Sequence, residues 1–277
     1  MSNKIINSKS VRKNDRLKFK YVLIAMVKRN VRTKYRNSTL GIIWTVLRPL
    51  LEMAVYWLIF SQFFANGDPI YHLYLLCGMI AFDIMAEATN VSLPSIVANQ
   101  GLMRQTKLTY EVFPLSNTIS SVVNFLFSFA AMLIIAVITQ IALSFNGVNI
   151  MMFSPTMLLI VLWLPLLMVF SYGISLLLSS MFVFFRDIQH FYGIFITLWR
   201  FATPLFYKLD MMTNEIMIAV ININPMTQFV TFFREIMIQG QVPHWTTFLY
   251  IAGWAVGTLL IGQLVFKKTK RSFVLYA

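Results

Sequence analysis

Long apolar blocks separated by short polar stretches dominate this sequence. Six of the blocks each reach the roughly 20 residues that an α-helix needs to cross about 30 Å of hydrocarbon at 1.5 Å per residue. The pattern therefore predicts an all-α, polytopic membrane protein with six transmembrane helices. We place these spans at residues 41–65, 70–91, 115–145, 156–185, 188–207 and 246–266.

A different pattern precedes the first span. Apolar side chains recur at Ile24, Val27, Val31 and Tyr35, which is the spacing of one helical face, while cations occupy the rest of the surface. The longest apolar run there is too short to cross a bilayer. The pattern predicts an N-terminal amphipathic interface helix that lies along the membrane with its cations towards anionic headgroups.

The elbow at residues 29–50, where this helix leads into the first span, divides the chain into a cytoplasmic basic arm, 1–39, and a transmembrane domain, 40–277. It either anchors the chain as a solvated basic helix or sets where a substrate enters the domain. For the second role the predicted headgroup-binding residues are Arg29, Arg32, Arg36, Trp44 and Arg48.

The composition excludes a soluble protein, because 58% of the residues are hydrophobic and 12% are charged, with a mean hydropathy of +0.71. A net charge of +13 would suit a nucleic-acid-binding protein, but twelve of the 23 Lys and Arg lie in residues 1–36, against one acid, Asp15. Cations concentrated beside a membrane elbow indicate an anionic membrane surface and no nucleic-acid partner.

The cations also predict the topology, since Lys and Arg concentrate in cytoplasmic loops. They cluster in the N-terminal arm, around Arg104 and Lys107, at Arg186 and in the C-terminal tail, whereas the connections 65–69 and 146–155 contain none. Both termini are therefore predicted to be cytoplasmic.

The cytoplasmic connection at residues 92–114 is longer than a helical bundle requires. Pro94 can start a short helix and Gly101 can end it. The segment is either an ordinary loop or a coupling helix that offers a docking surface to a soluble partner.

The outer connection, residues 208–245, contains two apolar stretches, 216–223 and 229–238, that are each too short to cross a bilayer. One hypothesis is a re-entrant helix pair before the last span, which is tolerated where protein surrounds the backbone. The other is an amphipathic pair that lies on the outer surface.

Sequence motifs for catalysis are absent. The chain has no GxxxxGK[ST] phosphate loop, no HExxH, no CxxC and no GxSxG. Its single cysteine, Cys77, excludes an intrachain disulfide. We therefore predict no catalytic site, no metal site and no nucleotide site on this chain.

Ionisable residues within predicted spans are functional candidates, because each costs roughly 2.5–3.5 kcal/mol at the bilayer centre on insertion scales. Arg48 and Glu52 stand at i, i+4 and can form a structural pair. Asp83 and Glu87 have the same spacing. They either carry protons or ions, as in a secondary transporter, or line a wet cavity and bond to neighbouring helices.

Arg200 lies in the fifth predicted span, where it either snorkels to the outer surface or faces a pore and binds a phosphate or acidic sugar. Aromatic residues, 15% of the chain, gather near the outer ends of spans one and five. They form either an interfacial belt or a surface on which sugar rings stack. The channel candidates among them are Tyr56, Trp57, Phe60, Phe201 and Tyr207.

Several short patterns follow one another along the chain. They are Leu40-Gly41 with Trp44 and Pro49, then Leu102, Tyr110, Glu111 and Pro114, then Arg186-Asp187, Thr203-Pro204 and Asn224-Pro225. Taken in order, these patterns resemble the permease subunits of polysaccharide and polyol-phosphate ABC exporters. Thr109-Tyr110 departs from the Pro-Arg that usually precedes the Glu of the coupling region.

This resemblance implies a half-transporter of the bacterial plasma membrane, in which two copies of the chain pair with two ATP-binding cassette subunits that hold ATP and Mg. It implies a lipid-linked polymer as substrate, with undecaprenyl-diphosphate-linked teichoic acid favoured and O-antigen or capsule open. A secondary transporter that uses Asp83 and Glu87, or a membrane enzyme or scaffold acting on lipid-linked sugars, is the alternative. The residues implied to couple to the ATPase are Gly101, Leu102, Arg104, Lys107, Tyr110 and Glu111.

Overall fold

The computed structural model describes residues 2–34, 36, 38–65, 67–105, 109–147 and 153–273, and every regular element in them is helical. This confirms the predicted all-α class. The α-helices of these residues are α1 (Ser2–Lys34), α2 (Trp44–Phe64), α3 (Tyr71–Ser92), α4 (Ser95–Ala98), α5 (Gln100–Gln105), α6 (Val112–Phe145), α7 (Ile160–Phe184), α8 (Ile188–Ala202), α9 (Glu215–Ile223), α10 (Pro225–Arg234) and α11 (Trp245–Thr269).

Four stretches of the described chain are long and apolar enough to cross a membrane: α3, α6, α7 with the 3₁₀ turn before it, and α11. The helices of the first and fifth predicted spans, α2 and α8, are not among them. Arg48 and Glu52 lower the hydropathy of α2, and α8 has 15 residues. Six crossings therefore stay a prediction.

The fifth span was predicted to continue to Tyr207, and as a helix this is wrong. Thr203 adopts an extended conformation with φ −97° and ψ 134°. A residue before proline is pushed out of the helical region by the proline ring, and Pro204 follows. The helix therefore ends at Ala202 and leaves residues 203–207 as irregular backbone.

The outer connection forms a bent helix pair. α9 and α10, the latter continued by a π-helical turn at Glu235–Gln239, meet at 87°. α9 is mostly exposed, whereas most of α10 is buried against α3, α7 and α11. This burial favours the re-entrant hypothesis over a pair that lies on the surface.

α3 forms the centre of the bundle and contacts α2, α6, α7, α8 and α10. Its buried side chains belong to a large apolar core with Trp163 of α7 and Phe233 of α10, whose rings stack at 4.4 Å. Trp163 also donates its indole N–H to the carbonyl oxygen of Phe229 at 2.9 Å, which ties α10 to α7.

α7 and α11 cross at glycines. A Cβ atom at Gly173 would lie 2.5 Å from the carbonyl carbon of Thr258 and 2.6 Å from the amide nitrogen of Leu259. A Cβ atom at Gly262 would collide with the backbone of Gly173. Small residues let membrane helices approach closely enough for their backbones to touch.

Asn224 joins three elements at the bend before α10. Its side-chain oxygen caps α10 by accepting from the amide of Met226 at 3.0 Å, and it accepts the indole N–H of Trp199 at 2.7 Å. Its amide nitrogen donates to the hydroxyl of Thr203 at 3.0 Å. Pro225 occupies the first helical position, where its missing N–H costs nothing.

Replacing Asn224 with alanine should therefore lower the free energy of unfolding by about 2–4 kcal/mol, from a lost cap and the lost hydrogen bonds to Trp199, Ala202 and Thr203. Asn224→Asp keeps both acceptor interactions and should lose less than half as much. Thermal unfolding of the two variants in detergent measures the difference. Equal losses for both substitutions would contradict this account of the cap.

Candidate functional site

The N-terminal helix is docked on the predicted cytoplasmic face by one apolar side. Phe19, Val22, Leu23 and Met26 of α1 pack with α5 and the start of α6. The predicted stripe is not the side that packs on α5 and α6, because Ile24 is 43% exposed and Val27 and Val31 are half-buried; Tyr35 lies outside the described residues. That the stripe faces the membrane stays a prediction. Both sets of positions are apolar, and the packing against α5 and α6 decides which set is covered.

The connection at 92–114 is built from two short helices where one was predicted. α4 begins after Pro94 as expected, but it ends at Ala98, and Gly101 lies inside α5. The side-chain oxygen of Asn99, between α4 and α5, accepts a hydrogen bond from the Arg29 guanidinium at 2.8 Å, which ties this turn to α1. Leu102 joins the apolar cluster under α1. The described residues 92–105 of this segment are therefore mostly helical and packed against α1, while a role as a coupling helix stays a prediction.

The other coupling candidates are spread along this connection. The ring of Tyr110 packs edge-on against Phe273 with centroids 5.3 Å apart, and Glu111 immediately precedes α6. Gly101 is exposed. Lys107 and the side chain of Arg104 lie outside the described residues.

A cavity of about 550 Å³ opens among the C-terminal end of α1 and helices α2, α3, α6 and α8. Five residues predicted from three separate stretches of the sequence line it together. They are Trp44, Arg48, Asp83, Glu87 and Arg200. Arg32 and Arg36 are exposed and lie outside its lining.

Ion pairs organise the charges of this cavity. The ammonium of Lys34 lies 2.5 Å from Glu87, and the guanidinium of Arg200 lies 2.5 Å from Asp83. Partly buried charges need such partners, because desolvation is costly for an isolated ion. In this structure Arg200 does not snorkel to the outer surface. Its guanidinium pairs with Asp83 of α3 and lies 5.2 Å from the Phe82 ring centre.

Arg48 and Glu52 form the expected i, i+4 pair at 2.8 Å. The Arg48 side chain is 73% exposed, so this pair contributes little to stability. It leaves the Arg48 guanidinium at the rim of the cavity, where a mobile anion can reach it.

Two buried polar atoms in the lining are unsatisfied. Asn124 donates its amide hydrogen to Glu87 at 2.6 Å, but its side-chain oxygen has no hydrogen-bond partner among the described residues. The same holds for the hydroxyl of Thr45. Buried polar groups in proteins are almost always hydrogen-bonded, so both atoms are costly to keep in this arrangement, and neither is exposed to the cavity as it stands.

A second group of predicted channel residues meets at the far end of α2 and α8. The ring of Phe206 contacts Tyr56 at 4.7 Å, Phe60 at 5.2 Å and Phe201 at 5.6 Å between centroids. We call these four residues the aromatic cluster. Tyr207 packs nearby on Phe64 at 6.5 Å, while Trp57 is 46% exposed.

Sequence reasoning missed three residues that the structure shows to be central: Lys34, Asn124 and Arg234. Lys34 could not be distinguished from the other cations of α1, and Asn124 is uncharged, so a search for ionisable residues within spans does not find it. Arg234 had a readable signal, since it interrupts an apolar stretch that was itself proposed to enter the membrane. Within the described residues, no group of three or more His, Cys, Asp or Glu side chains could hold a metal ion.

Comparison with known proteins identifies the family of this chain. The profile of the ABC-2 type transporter family matches residues 21–238. The O-antigen export system permease protein RfbA of Klebsiella pneumoniae is 26% identical over 270 residues, which cover 93% of this chain and 98% of the relative. RfbA of Myxococcus xanthus is 26% identical over 259 residues, covering 92% and 95%. The polysialic acid transport protein KpsM of Escherichia coli is 23% identical over 258 residues, covering 92% and 96%.

The family match includes α2, α3, α8 and α10, so it contains the elbow, the whole cavity lining and the aromatic cluster. The resemblance to exporter permeases predicted from short sequence patterns is confirmed. With several apolar helices long enough to cross a bilayer, the chain is a multi-pass membrane protein, and it belongs to the ABC-2 type transporter family.

Proposed function

We propose that this chain is the transmembrane subunit of an ATP-driven exporter that moves a polymer linked to a polyprenyl diphosphate from the cytoplasmic to the outer face of the plasma membrane. Two of its relatives are described as O-antigen export permeases and one as a polysialic acid transport protein. These names favour a glycan of the O-antigen or capsule class over the wall teichoic acid first inferred from sequence.

The cavity is the observation that carries this proposal. Lys34, Arg48 and Arg200 surround it with three cations. Guanidinium and ammonium groups are the usual partners of phosphate oxygens in proteins. In this state the cations are held by carboxylates, so a diphosphate headgroup would bind by competing with Asp83 and Glu87.

A second copy of the chain is the partner we propose for α2 and α8. These helices expose broad apolar surfaces; in α8, Tyr192 is the one residue of this fully described helix that is buried. Exposed apolar faces in such helices must meet lipid, substrate or protein. Two copies facing one another through α2 and α8 would enclose a pathway between them, with the aromatic cluster along its wall.

The ATP-binding partner is proposed to dock on α4 and α5. These short helices are held by α1 through Arg29 and Leu102, and they lie on the predicted cytoplasmic side. The chain has no phosphate loop of its own, so in an ATP-driven exporter the nucleotide has to be bound by a separate subunit. Gly101, Tyr110 and Glu111 are the described surface and loop residues proposed to meet it.

Reconstitution tests this function directly. The chain, co-purified with a candidate ATP-binding cassette subunit and placed in proteoliposomes, should move a fluorescent polyprenyl-diphosphate oligosaccharide across the bilayer only when ATP is supplied. An ATPase variant lacking its phosphate-loop lysine is the control and should abolish movement. Parallel assays with O-antigen-type, capsule-type and teichoic-acid-type oligomers separate the candidate polymers. Uphill movement by the chain alone, driven by a proton or sodium gradient, would replace the proposal with the secondary transporter.

A further inference from the structure

Residues 203–207 are irregular backbone within the helical bundle. α8 ends at Ala202, and Thr203, Pro204, Leu205 and Phe206 are all buried. Carbonyl groups in such a position lose water and must find partners inside the protein, because each unsatisfied group costs several kcal/mol in an apolar medium. The groups that donate hydrogen bonds to these carbonyls therefore help to fix the conformation of residues 203–207.

The guanidinium of Arg234 provides the first two partners. Its Nη1 donates to the carbonyl oxygen of Pro204 at 2.6 Å, and its Nη2 donates to that of Leu205 at 3.0 Å. The same Nη2 donates to the carbonyl oxygen of Tyr74 on α3 at 3.1 Å. One side chain of α10 therefore fastens the irregular stretch to the central helix.

Two tyrosines of α3 provide the next two partners. The hydroxyl of Tyr71 donates to the carbonyl oxygen of Phe206 at 2.5 Å, and the hydroxyl of Tyr74 donates to that of Tyr207 at 2.9 Å. Four successive carbonyls, from Pro204 to Tyr207, thus each accept a hydrogen bond from a side chain of α3 or α10. We call Arg234, Tyr71 and Tyr74 the carbonyl clamp.

The site of Arg234 is shaped for a guanidinium. The residue is 4% exposed, and it forms no salt bridge within the described part of the chain. Its charge is instead balanced by carbonyl dipoles and by the face of Tyr74, whose ring centre lies 3.4 Å from Cζ. Gly78 makes room for it, because a Cβ atom there would collide with Nη2. A buried, unpaired cation is costly to keep, which indicates a specific role.

We propose that Arg234 is a positioning residue for the outer end of the transport pathway. The clamp fixes Leu205 and Phe206, and the ring of Phe206 is the member of the aromatic cluster that touches all three others. Holding Phe206 in place therefore holds α2 and the end of α8 together. This inference rests on the proposed export function for its biological meaning, but the clamp itself is measurable without transport.

We expect arginine to be required at residue 234, because the separate N–H groups of its guanidinium donate to several carbonyls at once. A lysine ammonium keeps the positive charge but has one nitrogen, so it cannot reach the carbonyls of Pro204, Leu205 and Tyr74 at once. If Arg234 served only as a buried charge, Arg234→Lys would behave as the wild type.

The experiment compares variants of the full chain, assembled with its ATP-binding subunit in membranes. Arg234→Lys should still co-purify with that subunit, while export falls at least tenfold. The native Cys77, buried one turn of α3 from Tyr74, reports on the clamp. Its modification by a membrane-impermeant maleimide should become at least tenfold faster in this variant. Wild-type export together with wild-type thiol protection in Arg234→Lys would overturn the proposal.

Gly78→Ala and its combination with Arg234→Gln separate positioning from general instability. The alanine methyl displaces the guanidinium, so Gly78→Ala alone should also speed the modification of Cys77 at least tenfold. In the Arg234→Gln background the same alanine should change the rate less than twofold, because the shorter side chain leaves no guanidinium to displace. Gly253→Ala, with nothing within 4 Å of its Cβ position, is the matched control and should resemble the wild type.

Tyr71→Phe decides the outcome if neither Arg234 nor Gly78 variants assemble. It removes one hydroxyl from the clamp and no volume from the core, so it should fold and should speed the modification of Cys77. An unchanged rate in Tyr71→Phe would contradict the clamp. Because the thiol rate does not depend on transport, failure of the wild-type complex to export would count against the proposed function and not against the clamp.

Discussion

Gly173→Ala is expected to prevent α11 from docking on α7 and to lower the free energy of unfolding by at least about 3 kcal/mol. The added Cβ would stand 2.5 Å from the carbonyl carbon of Thr258, which is backbone and cannot rotate away. Overpacking of a core usually costs about 1–3 kcal/mol, and a clash between two helix backbones belongs at or above the top of that range. Thermal unfolding in detergent and the yield of monodisperse protein measure the loss.

Two further alanine substitutions make this result specific. Gly262→Ala should match Gly173→Ala, since the two glycines face one another across the same crossing. Gly253→Ala lies on the same helix α11 but has nothing within 4 Å of its Cβ position. It should be neutral or slightly stabilising, because alanine favours a helix by up to about 1 kcal/mol over glycine. Similar stability for all three variants would show that the helix crossing is not close.

Arg200→Gln is expected to reduce export at least tenfold and to lower the amount of assembled transporter. The substitution leaves the carboxylate of Asp83 beside the cavity without its cation. Breaking a fully buried pair costs about 3–5 kcal/mol, and the partial exposure of this pair, 21% for Arg200 and 35% for Asp83, reduces the expected cost to about 1–3 kcal/mol.

The double variant Asp83→Asn with Arg200→Gln separates stability from transport. It removes both charges, so the amount of assembled transporter should return to within about twofold of the wild type. Export should stay at least tenfold low, because the cation proposed to meet the diphosphate is still missing. Recovery of export in the double variant would show that Arg200 serves only to balance Asp83. Glu52→Gln, at the exposed Arg48 pair, is the control and should change assembly by less than twofold.

The sequence predicted the long helices well for a simple physical reason. α3, α6, α7 and α11 are encoded by long, predominantly apolar runs, and an α-helix satisfies the backbone hydrogen bonds of such a run within the segment itself. The convergence of Arg48, Asp83, Glu87 and Arg200 on one cavity was also within reach, because charges in apolar spans must gather where they can pair.

The remaining features depend on packing that no local pattern records. Gly101 fits a rule for helix ends, but it lies inside α5, so the rule did not decide the structure there. Ile24 and Met26 are both apolar, and only the position of α6 makes one exposed and the other buried. Arg234 interrupts an apolar stretch, which marks it as a candidate, but its packing against Tyr74 and Gly78 joins distant parts of the chain and could not be read from its neighbours in sequence.

The contact between Lys34 and Glu87 makes the charge of the cavity depend on the position of α1. Lys34 is the last residue of that helix, and a slide of one turn, about 5.4 Å, would carry its ammonium out of reach of the carboxylate. The positive charge of Lys34 would then no longer line the cavity. By thermodynamic reciprocity, an anion that binds more tightly when α1 is docked with Lys34 beside Glu87 must also stabilise that docked position of α1. Binding of the proposed anionic substrate and docking of α1 are therefore thermodynamically coupled. An ATP-binding subunit at the site proposed on α4 and α5 would be sensitive to both, because α1 packs on α5.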